Sequence, residues 1–456
     1  MQQGAIGCDH CACDRCGVRP SGPDEAIYLL DTLPCMADNK LARRDVLIVL
    51  TTALLPFTFL PHELGLKGFP IATVVLVLVL LIAATHRGLA DRWTPPEVSL
   101  WLLAVAITAR LLLTVLEGFE FPFDQFLSSV GGVVAAILLL RLGRRADLRR
   151  AFTVGLRFAL VLMLLFEAYQ LTVGLSTLQS AGYIYPDFIY HTESGTYRPF
   201  GTFRTPVTYG AYLAMVGLAV TLTAQGLWRA VALAATVAGL VATETRSAWI
   251  AFAAAGLAVV LAAGGALRRR TTLLLIVAAW GAVVVALASP GIFDSFLARI
   301  GTLTDASYSS NSTRVSLWGI TLAGIAERPL EGFGLVPLQS LLPAEYQEIF
   351  SHPHNNYLLV LFVYGLIGFV PFAAFLITAA YSFRRRNYMS TAGLNMRLVG
   401  IGALAVFALT SLFESTWSTF SVFATLGLLV GMGMPPSETV SYRTRTSSKD
   451  VVGRRL

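Results

Sequence analysis

Ser351-His352-Pro353-His354-Asn355-Asn356-Tyr357-Leu358 opens an apolar run that continues through Leu359, Val360, Phe362 and Tyr364 to Gly365 and Gly368. A run of this kind is long enough to enter a bilayer. Two histidines and two asparagines therefore stand at its mouth. A titratable ring is costly to desolvate, so its place at a membrane lip asks for a chemical reason. The plain alternative is a loop that happens to hold histidines before a helix. The rest of the chain decides between the two.

Of 456 residues, 55% are hydrophobic and only 13% are charged. A soluble domain carries about 25% charged residues, so most of this chain belongs in lipid. Apolar runs of about 16 to 25 residues recur, each near the length of a span. They lie near 46–60, 69–85, 98–116, 126–142, 151–175, 206–224, 228–243, 247–266, 271–289, 355–382, 398–413 and 417–434. The expected fold is an all-α polytopic membrane protein of about twelve transmembrane helices. The net charge of +7 is not a nucleic-acid footprint. The basic residues form short clusters between apolar runs, which is the pattern that sets membrane orientation.

Those clusters share one side when the helices number twelve. Lys40, Arg43 and Arg44 precede the first run, and Arg87 and Arg92 follow the second. Arg141, Arg144, Arg145, Arg149 and Arg150 lie between the fourth and fifth, Arg229 starts the seventh, and Arg268–Arg270 and Arg384–Arg386 follow later runs. That side is expected to be the cytoplasm, with both termini in it. Two long loops, about 176–206 and 290–354, fall on the other side, and long loops between spans tend to carry function. The second holds Asn311-Ser312-Thr313-Arg314, a polar helix start, followed by Val315, Leu317, Trp318, Ile320, Leu322 and Ile325 at amphipathic spacing. Arg328-Pro329-Leu330-Glu331-Gly332-Phe333-Gly334 then ends that helix.

All five cysteines (Cys8, Cys11, Cys13, Cys16 and Cys35) precede Met36. Cys8-x-x-Cys11 and Cys13-x-x-Cys16 look like metal ligands, but the two pairs stand too close for an ordinary zinc ribbon. The leading expectation is a disordered extension over 1–45, with Met36 a natural start for an integral protein. A transmembrane domain over 46–434 and a basic, disordered cytoplasmic tail over 435–456 complete the division.

The outer side collects cations. Arg198 and Arg204 lie in Tyr197-Arg198-Pro199-Phe200-Gly201-Thr202-Phe203-Arg204-Thr205-Pro206, and Arg246 lies in Thr243-Glu244-Thr245-Arg246-Ser247-Ala248-Trp249. Arg314 opens the loop helix, and His352 and His354 close the loop. Each arginine alone reads most simply as an ion-pair partner or a headgroup anchor. Together, beside two histidines, they suit a pyrophosphate, which the planar fork grips through two oxygens. A histidine near neutral pH serves as a general base. The chemistry that fits is attack by a hydroxyl on a carbon whose leaving group is a pyrophosphate. No Asp-x-Asp pair appears in an outer loop, so the arginines are expected to supply the positive charge, with no metal and no cofactor.

These residues resemble the O-antigen ligase and O-antigen polymerase superfamily of bacterial membrane glycosyltransferases. His354-Asn355, nine residues, then Gly365-Leu366-Ile367-Gly368 is similar to its His-Asn…Gly-x-x-Gly signature. Gly201-Thr202-Phe203 with Pro206 and Tyr209, the Thr245–Trp249 stretch, and Arg314, Trp318 and Pro329–Gly334 resemble its other elements in the same order. The resemblance implies a GT-C-like, metal-independent, inverting transferase in the inner membrane, with its large outer loop holding amphipathic helices and its active site facing the periplasm. It implies a glycan donor on undecaprenyl pyrophosphate and a lipid or glycan acceptor. It makes His354 and Arg246 catalytic, and Arg204, Arg198, Arg314, His352 and Asn355 substrate-binding. Arg204 departs from the pattern, standing where the family varies, and the Cys-rich start has no counterpart there.

The alternative within the superfamily is a polymerase of O-antigen or exopolysaccharide. From another class comes a transporter of polyisoprenyl-linked glycan, for which Arg110, Arg157 and Glu167 inside apolar runs are the pointers. Snorkelling or pairing within the bundle accounts for the same three residues.

Overall fold

The computed structural model describes residues 40–58, 71–85, 92–118, 127–180, 197–203, 205–263, 265, 269, 309–334, 352–384 and 391–437. The chain divides at Val46, and Leu47–Leu456 form one compact unit. Among the described residues the regular structure is all helical, without a strand. In order the helices are α1 Lys40–Leu54, α2 Ile71–Thr85, α3 Pro95–Leu116, α4 Gly132–Gly143, α5 Arg149–Ser180, α6 Pro206–Thr223, α7 Gly226–Ala242, α8 Arg246–Ala262, α9 Ser309–Glu327, α10 Asn356–Ser382, α11 Thr391–Thr410 and α12 Phe420–Gly433. Every expected apolar run except 271–289 coincides with one of them. That run, Arg204, all five cysteines and the basic tail lie outside the described residues.

Among the described residues, five helical segments are long and apolar enough to cross a membrane: Pro95–Leu116, Arg149–Gly174, Pro206–Thr223, Asn356–Ser382 and Gly393–Thr410. The other apolar helices are shorter, as Gly226–Ala242 and Phe420–Gly433 are. Large apolar side chains face outward along the long helices, among them Leu102, Val105 and Leu112 on α3 and Ile367, Val370 and Ile377 on α10. An outward apolar surface of that extent is what lipid contact requires. The fold is that of a multi-pass helical membrane protein.

Sequence sets the helix starts. Pro95 and Pro96 occupy the first turn of α3, and the Glu97 carboxylate accepts the Thr94 N–H at 2.7 Å. The Thr205 hydroxyl accepts the Thr208 N–H at 3.2 Å to start α6, and Pro206 follows it. Small residues let the helices approach. Gly427 and Gly431 of α12 lie against the backbone of Ala136 and Leu140 on α4, and Gly433 meets Gly400 of α11. α5 runs on to Ser180, past its expected end near 175, after the chain turns at Gly174 with φ 75° and ψ 168°.

These contacts fix two ends of the bundle. Gly210 of α6 faces Thr245 and Ala248 of α8, and Gly402 of α11 faces Leu218 of α6 and Val259 of α8. The Asn356 amide donates to the Ser411 hydroxyl, and Phe407 packs on Phe423. Near its start α5 reaches the close of both α6 and α12, through Arg157 to the Thr223 carbonyl and Arg149 to the Met434 carbonyl, so α6, α8, α10 and α12 begin where α11 finishes. The other end carries arginines. Arg144 contacts Glu97 at 3.1 Å, Arg149 donates to the Met434 carbonyl at 2.7 Å, and Arg229 to the Ala224 carbonyl at 3.0 Å. Glu97 is fully buried there, with Arg141 also beside it at 3.7 Å.

Candidate active site at the histidine end

The His352-Pro353-His354 turn enters α10 from outside. His354 holds a left-handed backbone, φ 49°, a conformation that non-glycine residues adopt rarely and that gathers at functional sites. Its amide points at the His352 Nδ1, 3.4 Å away, and the two rings meet edge to face with centroids 4.4 Å apart. The Trp318 indole of α9 donates to the Pro353 carbonyl at 2.8 Å. Asn355 caps α10: its Oδ1 accepts the Leu358 N–H at 3.1 Å and its Nδ2 donates to the Leu412 carbonyl at 3.1 Å. This amide, expected to bind substrate, is thus engaged in holding the helix start. Asn356 ties the same point to the loop after α11, accepting the Trp417 N–H at 3.0 Å.

That loop brings a residue the sequence reading did not single out. Glu414 accepts from His354 Nδ1 at 3.1 Å through Oε2 and from Arg314 Nη2 at 2.8 Å through Oε1. Its side chain is 7% exposed, against 24% for Arg314. Burial pushes the carboxyl pKa up, but the charges of His354, Arg314 and His352 and the His354 hydrogen bond outweigh it, so the pKa is lowered. An ionised carboxylate only accepts, so the His354 Nδ1 must carry the proton.

A second gathering of cations lies at the same end. Arg198 Nε donates to the Thr243 carbonyl at 3.0 Å and Nη2 to the Thr245 hydroxyl at 3.2 Å. Arg198 is thereby held on the turn whose next residue, Arg246, begins α8. The Thr245 hydroxyl also reaches the Pro206 carbonyl at 3.3 Å, which binds this turn to the start of α6. Behind Arg198, the fully buried Gln170 of α5 cradles the Gly201 turn. Its Oε1 accepts the Phe200 and Gly201 N–H groups at 3.0 and 2.9 Å, and its Nε2 donates to the Gly201 carbonyl at 2.8 Å. Gly201 has φ 56°, and a Cβ there meets Met163 and Tyr209.

The glycine signature has a structural cause. α10 breaks at Gly365, with φ 59° and ψ −162°. The Pro329–Gly334 turn docks into the break. Leu366 and Ile367 donate to the Pro329 and Leu330 carbonyls at 2.8 and 3.2 Å, and Phe333 and Gly334 donate to the Phe362 and Val363 carbonyls at 2.8 Å each. These bonds replace those that the break removes from the helix ladder. Phe333 stacks on Phe362 with centroids 4.9 Å apart, and Gly334 lies against the Arg110 guanidinium. α9 is therefore fastened through Trp318 and Arg314 near its start and by this turn at its end.

The three charges read as transporter pointers have partners inside the bundle. Arg110 pairs with Glu117 at 3.1 Å, Arg157 donates to the Thr223 carbonyl at 3.2 Å, and Glu167 accepts from the Tyr209 hydroxyl at 2.6 Å. Among the described residues no three of His, Cys, Asp and Glu converge as metal ligands.

Fold and site together define a class: a multi-pass helical membrane protein with a carboxylate-backed histidine and half-buried cations at one end of its bundle. Residues 230–373 match the family described as O-antigen ligase. That match supports the resemblance to the O-antigen ligase and polymerase superfamily. The segment spans Arg246, Arg314, the docked turn, His354 and the broken helix, while Arg198 and Glu414 lie outside it. A search of curated proteins returns no match. The match points to glycan transfer of the ligase or polymerase type.

Proposed function

We infer that the protein is a metal-independent, inverting glycosyltransferase that moves a glycan from undecaprenyl pyrophosphate to a hydroxyl acceptor. The observation that carries this reading is the His354–Glu414–Arg314 cluster at the same end of the bundle as the Arg198–Arg246 turn. His354 Nε2 takes the proton from the acceptor hydroxyl as its oxygen bonds to the anomeric carbon. The bond from that carbon to the pyrophosphate oxygen breaks, and its electron pair leaves with the phosphate. Arg246, Arg198 and Arg204 balance the charge growing on the leaving group, with Arg314 a further contributor. Glu414 holds the imidazole in the basic tautomer.

The arginine end faces the cytoplasm by the positive-inside rule, so the histidine end opens to the periplasm. On this reading the shorter apolar helices also cross the membrane, in a GT-C-like arrangement. A lipid-linked glycan transporter is less well supported, because Arg110, Arg157 and Glu167 are engaged in packing the bundle.

The test uses purified protein in detergent, a lipid-linked glycan and an acceptor. His354→Ala and Arg246→Ala are each expected to abolish joining while membrane expression persists. Normal product from either variant removes that residue from the mechanism. In a deletion strain, full-length polymer left on the carrier identifies a ligase, and single repeats left on it identify a polymerase.

A further inference from the structure

One carboxylate is shared between the two halves of the proposed chemistry. Oε2 of Glu414 meets His354 Nδ1 at 3.1 Å, and Oε1 meets Arg314 Nη2 at 2.8 Å. Among the described residues, His352 from its own turn and Glu414 from the loop after α11 meet His354, and Arg314 from α9 reaches the same carboxylate. α10 itself carries no charged residue. In the free protein the Arg314 charge therefore offsets part of the negative potential that Glu414 sets up at the imidazole.

We propose that Glu414 couples donor binding to the base: a lipid diphosphate draws Arg314 off Oε1, and the released carboxylate charge then raises the proton affinity of His354. The coupling rests on the transferase reading above. Arg314 is the mobile member, because it is the more exposed of the pair, 24% against 7% for Glu414. Its planar fork gains two phosphate oxygens in place of one carboxylate oxygen. Glu414 stays, held by His354. Glu414 is a positioning residue here: the acceptor's proton goes to His354 and never to the carboxylate. The base is then strongest when a donor is in place, which keeps water from being activated in an empty site.

The test is a ring-nitrogen NMR titration of His354 in the full chain in detergent, with and without undecaprenyl pyrophosphate, for wild type and Arg314→Ala. In wild type the ligand is expected to move the titration midpoint up by about one pH unit, the effect of one charge a few ångströms away after solvent screening. Arg314→Ala has no arginine to withdraw. It is expected to titrate near the raised midpoint without ligand and to move by less than half as much with it. Arg314→Gln serves the same purpose should the alanine variant fold poorly. Equal ligand-induced shifts in wild type and variant overturn the coupling, since the diphosphate then acts on the ring directly. Bound ligand with no shift in wild type overturns it too. Absence of binding, read separately by equilibrium dialysis, overturns the donor reading on which it rests.

Discussion

Gly365→Ala tests whether the break in α10 is a designed socket. The glycine holds φ 59° and ψ −162°, a region that is nearly closed to residues with a Cβ and costs about 1–3 kcal/mol to occupy. An added methyl also runs into the Leu330 carbonyl and comes within 2.7 Å of the Gly332 nitrogen. Both obstacles are backbone, so no side-chain rotation relieves them. The cheaper escape is to undock the turn. That gives up the four backbone hydrogen bonds of Phe333, Gly334, Leu366 and Ile367, each worth about 1 kcal/mol net. A straightened helix regains two of them, since Leu366 and Ile367 can then donate to the Phe362 and Val363 carbonyls, and alanine in place of glycine returns up to about 1 kcal/mol. The net cost is about 1–2 kcal/mol, and the undocked form prevails. Hydrogen–deuterium exchange should show protection lost at Phe333 and Gly334, with glycan transfer falling in parallel. Gly319→Ala is the control, because a Cβ there meets nothing within 4 Å, and it should leave exchange unchanged. Wild-type protection and melting temperature in Gly365→Ala would refute the docking argument.

Other variants probe the remaining joints. The Glu414 pKa is lowered by its cationic neighbours against the effect of burial, so its stabilising contribution is complete above the ordinary carboxylate range near pH 4.3 and is lost as pH falls through the lowered folded value. The acid limb of thermal stability should therefore flatten in Glu414→Gln, and an unchanged limb counts against the ion cluster. Gln170→Ala leaves the Phe200 and Gly201 groups without their buried partner and should cost about 2–4 kcal/mol in a detergent melt; a neutral result means the Gly201 turn is held by other contacts. Glu97→Gln at the opposite end removes the charge that Arg141 and Arg144 share and should destabilise by about 3 kcal/mol with the donor affinity of surviving protein unaltered.

The helices were legible because lipid demands long apolar runs, and a run such as Leu358–Ser382 announces itself. The turns were legible in part, since Pro206, Asn355 and the Pro329–Gly334 stretch carry local backbone rules. What the sequence concealed is pairing at a distance. Glu414 stands alone in the polar gap between two apolar runs, and nothing local joins it to a histidine 60 positions earlier. Its one signal was a carboxylate in an otherwise uncharged stretch. Gln170 looked like any polar residue near a helix end, because its cradle forms only when Gly201 arrives from 31 positions away. Gly365 and the Pro329–Gly334 turn were both visible, but their union needs the fold.

That union bears on how such chains can be recombined. The docking turn and its receiving gap are some thirty positions apart in the gene yet mechanically one joint. A chimera whose crossover falls between positions 334 and 362 takes key and lock from different parents. Exchanges meant to alter acceptor choice should therefore move 309–334 and 356–382 as one block.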